Sequence, residues 1–409
     1  MADVKINGKT YANVNAVNLP LADGSGFATF QTDEAVELKD VNFYDYDGRL
    51  LYSYSVEEAQ ALTELPPSPV PPKDFLKFEE WNWTLAKIKE HNDCVEVGAV
   101  YKPVDNKTRI VVQIDEDWQQ NVIVRYCQWC TSVSVDWGDG SAADTTSGGS
   151  GENFTANHTY SAKGIYTITI TDNGTWNFGH NTNTTPFFGN MSTENGASAF
   201  RELYCGSSPR FLLNGLCKAR KLKYLTIPKG QTQFWAYAAQ YCSSLKALIL
   251  PATIQTINQD CFVLAESMTV CSLPPSVATI NARAFQSCPV LRFTVPSNTK
   301  TVSLGSPYLE FVVLKDGVTT LGDQCLQGNK KLTEITIPQT VTSIGALCFD
   351  SCLSMLRLRF LPTNPPTVSN ANAFSGIPSN CVVEVPAGSL ATYKAATNYA
   401  SIAAQMVGV

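Results

Sequence analysis

Over the second half of the chain, apolar and polar positions follow one short pattern that recurs seven times. Each copy ends in an apolar-x-apolar stretch running into proline: YLTIP to Pro228, LILP to Pro251, CSLP to Pro274, FTVP to Pro296, EITIP to Pro338, LRFLP to Pro362 and VEVP to Pro386. Upstream of these stretches, Leu216, Ala239, Phe262, Phe285, Leu326, Phe349 and Phe374 share one slot. The residue before each is always small, at Gly215, Ala238, Cys261, Ala284, Cys325, Cys348 and Ala373. A further apolar slot holds Phe234, Ile257, Ile280, Leu321 and Ile344. A period of about 22 to 24 residues predicts a stacked solenoid, in which a unit buries its apolar face only against its neighbours. Within each strand the apolar residues point inward. The intervening ones (Tyr224 and Thr226, Ala247 and Ile249, Val270 and Ser272, Arg292 and Thr294, Glu334 and Thr336, Arg357 and Arg359) are then expected to line one exposed sheet. A surface of that kind binds rather than catalyses.

The unit SLPPSVATINARAFQSCPVLRFTVP and its later partner LTEITIPQTVTSIGALCFDSCLSMLRL resemble the BspA-type leucine-rich repeat, and the resemblance spans 199–409. It implies a solenoid of the kind found in bacterial surface and host-contact proteins. The ending VPAGSLATYKAATNYASIAAQM resembles that family's closing element, a short helix over the last repeat. Between Pro296 and Leu314 the spacing shrinks and the small-plus-Phe pair is missing, so this unit is expected to bend the stack or to carry a loop.

The first half divides into segments of different character. Residues 1–55 alternate apolar and polar positions between turn signals at Asn7-Gly8, Asp23-Gly24 and Asp47-Gly48, and with a helix over 56–65 they predict a small β-rich attachment module over 1–65. The proline-rich stretch 66–74 reads as a stiff linker. Residues 75–106 predict a helix from Thr84 and a strand VEVGAVYKP; Trp81 and Trp83 there are either packing residues or a sugar platform. In 107–172, Val133, Val135 and Trp137 alternate before the Gly138-Asp139-Gly140 turn, and IYTITIT puts Tyr166, Ile168 and Ile170 on one face. VDWGDGS followed by HTYSAKGIYTITIT resembles the polycystic-kidney-disease (PKD) type immunoglobulin-like domain, which implies a β-sandwich serving as a spacer. Asp136 and Asp139 could be calcium ligands, against a structural reading of the same turn. Residues 173–198 are rich in Asn, Thr, Gly and Ser and read as a linker, with sequons at Asn173, Asn183 and Asn190. The expected fold class is therefore mainly β and multidomain: a β-rich amino-terminal module, an immunoglobulin-like sandwich, and a leucine-rich-repeat solenoid with a short terminal helix.

Composition narrows the chemistry. The 409 residues carry a net charge of −6 with 16% charged residues, and no basic cluster that would track phosphates stands out, which argues against nucleic acid. No apolar run is long enough to span a bilayer, and MADVKINGKTYANVNAV lacks the apolar stretch of a secretion signal, so synthesis in the cytosol is expected. Of thirteen cysteines, Cys261, Cys325 and Cys348 fill the small slot and Cys242, Cys288 and Cys352 share another, as small hydrophobes would. Cys127 and Cys130 have C-x-x-C spacing, but residues three apart on a strand face opposite ways and no second pair follows, so no metal is assigned. With three histidines and no nucleophile or phosphate-loop motif, no enzyme class and no cofactor is supported.

INGKTYANVNAVNLPLADGSGFATF, LLYSYSVEEAQALTELPPSP and FEEWNWTLAKIKEHNDCVEVGAVY are similar to amino-terminal segments of structural proteins in phages and prophages of gut bacteria. This implies a virion-surface appendage, attached to other virion proteins through its amino-terminal region and binding a host-surface protein or glycan through its repeats. A homo-oligomer is compatible; nucleic-acid binding and membrane insertion are not expected. The alternatives are a BspA-like bacterial surface adhesin and a purely structural capsid decoration. On the repeat sheet, Tyr224 at one end and Arg357 and Arg359 at the other are the candidate ligand-binding residues, because arginine forks suit carboxylate or phosphate groups.

Overall fold

The structure is a computed structural model that describes residues 2–6, 9–14, 16–20, 27–31, 38–129, 132–147, 152–178, 197–206, 209–211, 215–227 and 229–409. Side chains are described over 38–126, 132–147, 153–174, 198–206, 215–227 and 229–409. The turns at Asn7-Gly8 and Asp23-Gly24, Pro228, Cys130, the Cys127 side chain and the sequons at Asn183 and Asn190 lie outside these residues. The first strands form two antiparallel pairs, Ala2–Ile6 with Lys9–Val14 and Ala16–Pro20 with Phe27–Gln31.

Residues 38–106 build a four-stranded sheet in the order Leu50–Tyr54, Val41–Tyr44, Val95–Pro103, Leu76–Trp81. The first two strands are joined through Asp47-Gly48, where glycine supplies φ +85°. The helix Val56–Ala61 starts from a capping box, with Ser55 and Glu58 each satisfying the other's backbone N–H. It stops four residues short of the expected Leu65, because the residue before Pro66 is steered to extended backbone and the chain opens ahead of it. The second helix, Leu85–Lys89, is capped by Thr84 as expected. The proline-rich stretch does not separate one sheet from another: strands on either side of it pair in a single sheet, and Trp81 Nε1 donates to the Pro66 carbonyl at 3.0 Å. Both indoles are buried, Trp83 almost completely, so the sugar-platform alternative is corrected in favour of packing.

Two facing sheets follow. One holds Glu152–Thr159, Asn121–Trp129, Thr175–Phe178 and Pro209–Phe211. The other runs Asp144–Ser147, Ser132–Asp136, Gly164–Asp172, Thr108–Ile114, Phe200–Tyr204, Tyr224–Thr226. Alternate residues of both turn inward, among them Val122, Val124, Ile110, Val112, Val133, Val135, Ile168 and Ile170, all fully buried. The WGDGS and HTY segments lock one corner. Trp137 is buried with its Nε1 on Asp144, His158 stacks on its ring, and the Tyr160 hydroxyl donates to the Trp137 carbonyl at 2.8 Å. Asp136 accepts from the Gly138 N–H; Asp139 takes Ser141 on one oxygen and His158 on the other. These bonds, the Ser141 hydroxyl foremost, hold the Asp139 carboxyl down at about 2. Both aspartates therefore serve the turn.

The strand Phe200–Tyr204 joins the halves, antiparallel to Thr108–Ile114 and parallel to Tyr224–Thr226, the first full rung of the solenoid. From there the chain coils through about nine turns. Long rungs (Ala247–Ile249, Val270–Ser272, Arg292–Val295, Phe311–Leu314, Glu334–Ile337, Arg357–Phe360, Val382–Val385, Met406–Gly408) form one face. Two-residue strands from Gln233–Phe234 to Thr367–Val368 form a parallel seven-stranded sheet on the other. The Phe slot stacks between rungs, Phe262 on Phe285 at 5.4 Å and Phe349 on Phe374 at 5.7 Å. The cysteine slot has a second function. Cys242, Cys288 and Cys352 donate S–H to the carbonyls of Leu216, Phe262 and Leu326, the Phe-slot residue one rung back. All eleven described cysteines are free and buried.

The shortened unit carries no loop. Thr301–Val302 keeps the seven-stranded ladder continuous and Phe311–Leu314 pairs with Arg292–Val295, whereas among the described residues no strand pairing carries the long-rung ladder on to Glu334–Ile337; Leu304 takes the small slot and Gly305 the Phe slot in the rung-to-rung bonds Phe285 N–H to Leu304 and Gly305 N–H to Cys325. A large residue in the small slot is offset by glycine in the large one. The helix Leu390–Ala395 closes the stack, with Tyr393 and Tyr399 buried and their hydroxyls on the Pro362 and Pro366 carbonyls.

Candidate binding surface

The sheet of 38–106 does not extend away from the solenoid; it lies on the long-rung face. Its Val95–Pro103 strand crosses the first rungs, and Gly98 permits the approach, since a Cβ there would stand 2.4 Å from Ile249 Cγ2. The seam is tied by polar groups matched to bare backbone. Asn82 Nδ2 donates to the Leu250 carbonyl and to Ser272 Oγ, both at 2.8 Å, and Trp83 Nε1 to the Leu273 carbonyl at 2.9 Å. Ser272 Oγ donates to the Glu96 carbonyl and Thr294 Oγ1 to that of Cys94. Charges add to this: Arg292 meets Glu96 at 3.3 Å, and Lys315 pairs with Asp93.

The expectation of one open sheet is thereby corrected. Thr226, Ala247, Ile249, Ser272 and Thr294 are buried. Tyr224 is half-buried, its ring 5.3 Å from that of Tyr46 and 6.0 Å from the Lys246 ammonium, so it belongs to the seam and not to a free face. The composition held a signal for this: the covered positions are mostly Thr, Ala, Ile, Val and Ser, and the one charge among them, Arg292, is answered by Glu96 in the seam.

Beyond the cover the face is open. Glu334, Thr336, Arg357 and Arg359 are exposed, and with Phe311 and Asp93 they line a groove of about 400 Å³. A second hollow of about 410 Å³ adjoins it and shares Asp93, Leu314 and Thr336; Glu90, His91 and Lys315 form its wall. His91 is buried against the edge of Trp83, and its Nδ1 lacks a hydrogen-bond partner. Burial first, and Lys315 second, push its pKa down to about 4. The structure thus brings Arg357 and Arg359 together on one face and leaves Tyr224 six rungs away, about 29 Å at ~4.8 Å per rung.

The two arginines straddle Glu384. Arg357 Nε is 3.4 Å and Arg359 Nε 3.5 Å from its two oxygens, while Arg357 Nη1 is 3.6 Å from Glu334. Such long, exposed pairs contribute little stability, about 0–1 kcal/mol, and an incoming carboxylate or phosphate can compete for the guanidinium groups. The 90–93 wall was not read from sequence as part of a site, because it belongs to a segment some 220 residues upstream of Lys315.

Residues 216–306 and 304–397 match the BspA type leucine rich repeat region, in six copies. Among solved structures, a leucine-rich repeat protein from Bacteroides ovatus ATCC 8483 is similar at 19% identity, over 51% of this chain and 66% of that one, with a TM-score of 0.28. A leucine rich cell surface protein from Faecalibacterium prausnitzii A2-165 is similar at 14% identity, over 45% and 74%, with a TM-score of 0.22. The pneumococcal vaccine antigen PcpA is similar at 13% identity, over 55% and 81%, with a TM-score of 0.20. The chain spans just under two thirds of the Bacteroides ovatus protein. No curated protein matches the chain.

Proposed function

We propose that this protein, whose residues 216–397 are BspA-type leucine-rich repeats, is a non-enzymatic surface-binding protein that engages a cell-surface protein or glycan through the late rungs of its solenoid sheet. The observation that carries this reading is the selective cover: the amino-terminal sheet occludes the early rungs and leaves Glu334, Thr336, Arg357 and Arg359 as the floor of a groove. A rigid sheet with charged residues at fixed spacing suits recognition of an acidic group. Among the described residues no cluster of His, Cys, Asp and Glu suits a metal, and no helix is long and apolar enough to cross a membrane. The WGDGS corner supports a PKD-like spacer role for 107–172. The BspA-type repeats support the bacterial cell-surface reading ahead of the virion appendage, which rests on the amino-terminal segments alone.

The test is the variant R357S/R359S, measured for attachment to host cells and to immobilised acidic glycans. Removing two exposed side chains should leave the fold intact and weaken attachment roughly tenfold at low salt, less at high salt. Unchanged attachment would exclude the groove as the contact surface.

A further inference from the structure

We propose a second binding surface, at the opposite end of the solenoid: a stripe of lysines, Lys221, Lys223 and Lys246, that takes a linear anionic polysaccharide. It is separate from the groove and does not depend on it.

The stripe begins in the segment KARKLK, residues 218–223, four of whose six residues are cationic. In a chain of net charge −6 this short run is not by itself a basic cluster that would track the phosphates of a nucleic acid. The fold extends it. The residue just before each long rung occupies one register position: the Lys223 N–H donates to the Arg201 carbonyl at 2.7 Å, the Lys246 N–H to the Lys223 carbonyl at 3.2 Å, and the Thr269 N–H to the Lys246 carbonyl at 3.1 Å. Arg201, Lys223 and Lys246 therefore stand on successive rungs about 4.8 Å apart. Lys221 is beside them, and Arg220 lies near the Tyr241 ring at 5.8 Å.

Several other cations of the solenoid are held by carboxylates, and the stripe is not. Lys229 pairs with Glu80 at 2.7 Å, Arg283 with Asp260 at 2.9 Å and Lys331 with Glu310 at 2.8 Å. Arg201 itself is held by Asp115 at 3.2 Å. Lys221, Lys223 and Lys246 are exposed, and among the described residues no carboxylate is within ion-pair distance of them. Like charges on neighbouring strands repel, so this spacing costs stability when free and is relieved by an anion bridging the rungs. A polymer with a sulfate or phosphate on each unit presents charges at comparable intervals. Three to five cations on two or three rungs are too few for duplex DNA, whose specific binders neutralise about 6–10 phosphates.

The experiment uses the full chain and three probes: heparin, a glycerol-phosphate teichoic acid and a duplex oligonucleotide. Affinities are measured from 50 to 300 mM salt. The wild type should bind heparin, the teichoic acid or both, and the response tells sulfate from phosphate. K221Q/K223Q/K246Q should weaken that binding at least tenfold at 50 mM salt and flatten the log–log salt slope by about 2 to 3, roughly one per lost contact. K300Q/K330Q/K394Q removes the same charge elsewhere and should bind like wild type. The proposal is overturned if neither polysaccharide binds, if the two variants lose equally, or if the duplex binds as tightly as the polysaccharides. K221Q/K223Q/K246Q is measured also in the R357S/R359S background: the same fold loss there as in the wild-type background assigns that loss to the stripe whatever the groove contributes, so failure here and failure of the groove are told apart.

Discussion

Placing a methyl group at Gly98 tests the docking of the amino-terminal sheet on the solenoid. In G98A the new Cβ would stand 2.4 Å from Ile249 Cγ2 and 2.8 Å from its Cδ1, against an ordinary carbon–carbon contact of about 3.5–4.0 Å. Ile249 cannot swing aside, because it is only 6% exposed and packed with Tyr44 and Val100. An overlap of more than about 1 Å in a packed seam should cost about 1–3 kcal/mol. I249A alone removes three carbons from the same place and should cost about 2 kcal/mol, the low end for such a truncation, since the position lies in a seam and not at the centre of a core. The double variant puts the methyl into the vacated space, so its cost should fall short of the sum by about 1–3 kcal/mol. Urea unfolding gives the energies, and the rate of Cys94 thiol labelling reports local opening, because Cys94 sits in the seam beneath Arg292. In the wild type that thiol should be silent, both from burial and because burial raises its pKa. G98A should expose it and I249A should restore some of the protection. Additivity of the two changes within about 0.5 kcal/mol, with Cys94 unaffected, would refute the close approach and with it the reason that the early rungs are closed to ligands.

Two further outcomes are expected. Ser287 occupies the left-handed slot, φ +61°, that glycine fills in other rungs at Gly328 and Gly376, so S287G should stabilise the protein by about 0.5 kcal/mol, the strain relieved (~1–2 kcal/mol) less the added freedom of the unfolded chain (~0.4–1); an unchanged or lowered urea midpoint would contradict this. His91 has its folded pKa pushed down to about 4 against about 6.5 when unfolded, so between those values the unfolded chain binds a proton that the native state does not. Its contribution is complete above about pH 6.5 and is lost as pH falls towards 4, by up to roughly 3 kcal/mol; comparing the urea midpoints of wild type and H91N at pH 7 and pH 4.5 should show the steeper loss in the wild type.

Period and alternation are properties of neighbouring residues, and what depends on them was readable from the chain alone. The recurring Phe, small and cysteine slots determined the solenoid, its inward face and the burial of its thiols, since a unit of this length can hide its apolar residues only against a copy of itself. WGDGS with HTY marked the sandwich corner, and Thr84 marked a helix start. What covers the other face of the sheet is a matter of contacts between residues some 150 to 200 positions apart, and alternation does not encode it. Tertiary structure alone decided that Thr226, Ile249, Ser272 and Thr294 are closed while Arg357 and Arg359 are open. It decided also that Lys229 meets Glu80, 149 positions away, while Lys223 and Lys246 meet no carboxylate among the described residues. Both follow from chain segments brought together by packing and backbone hydrogen bonds, which no local pattern of hydrophobic and polar residues specifies.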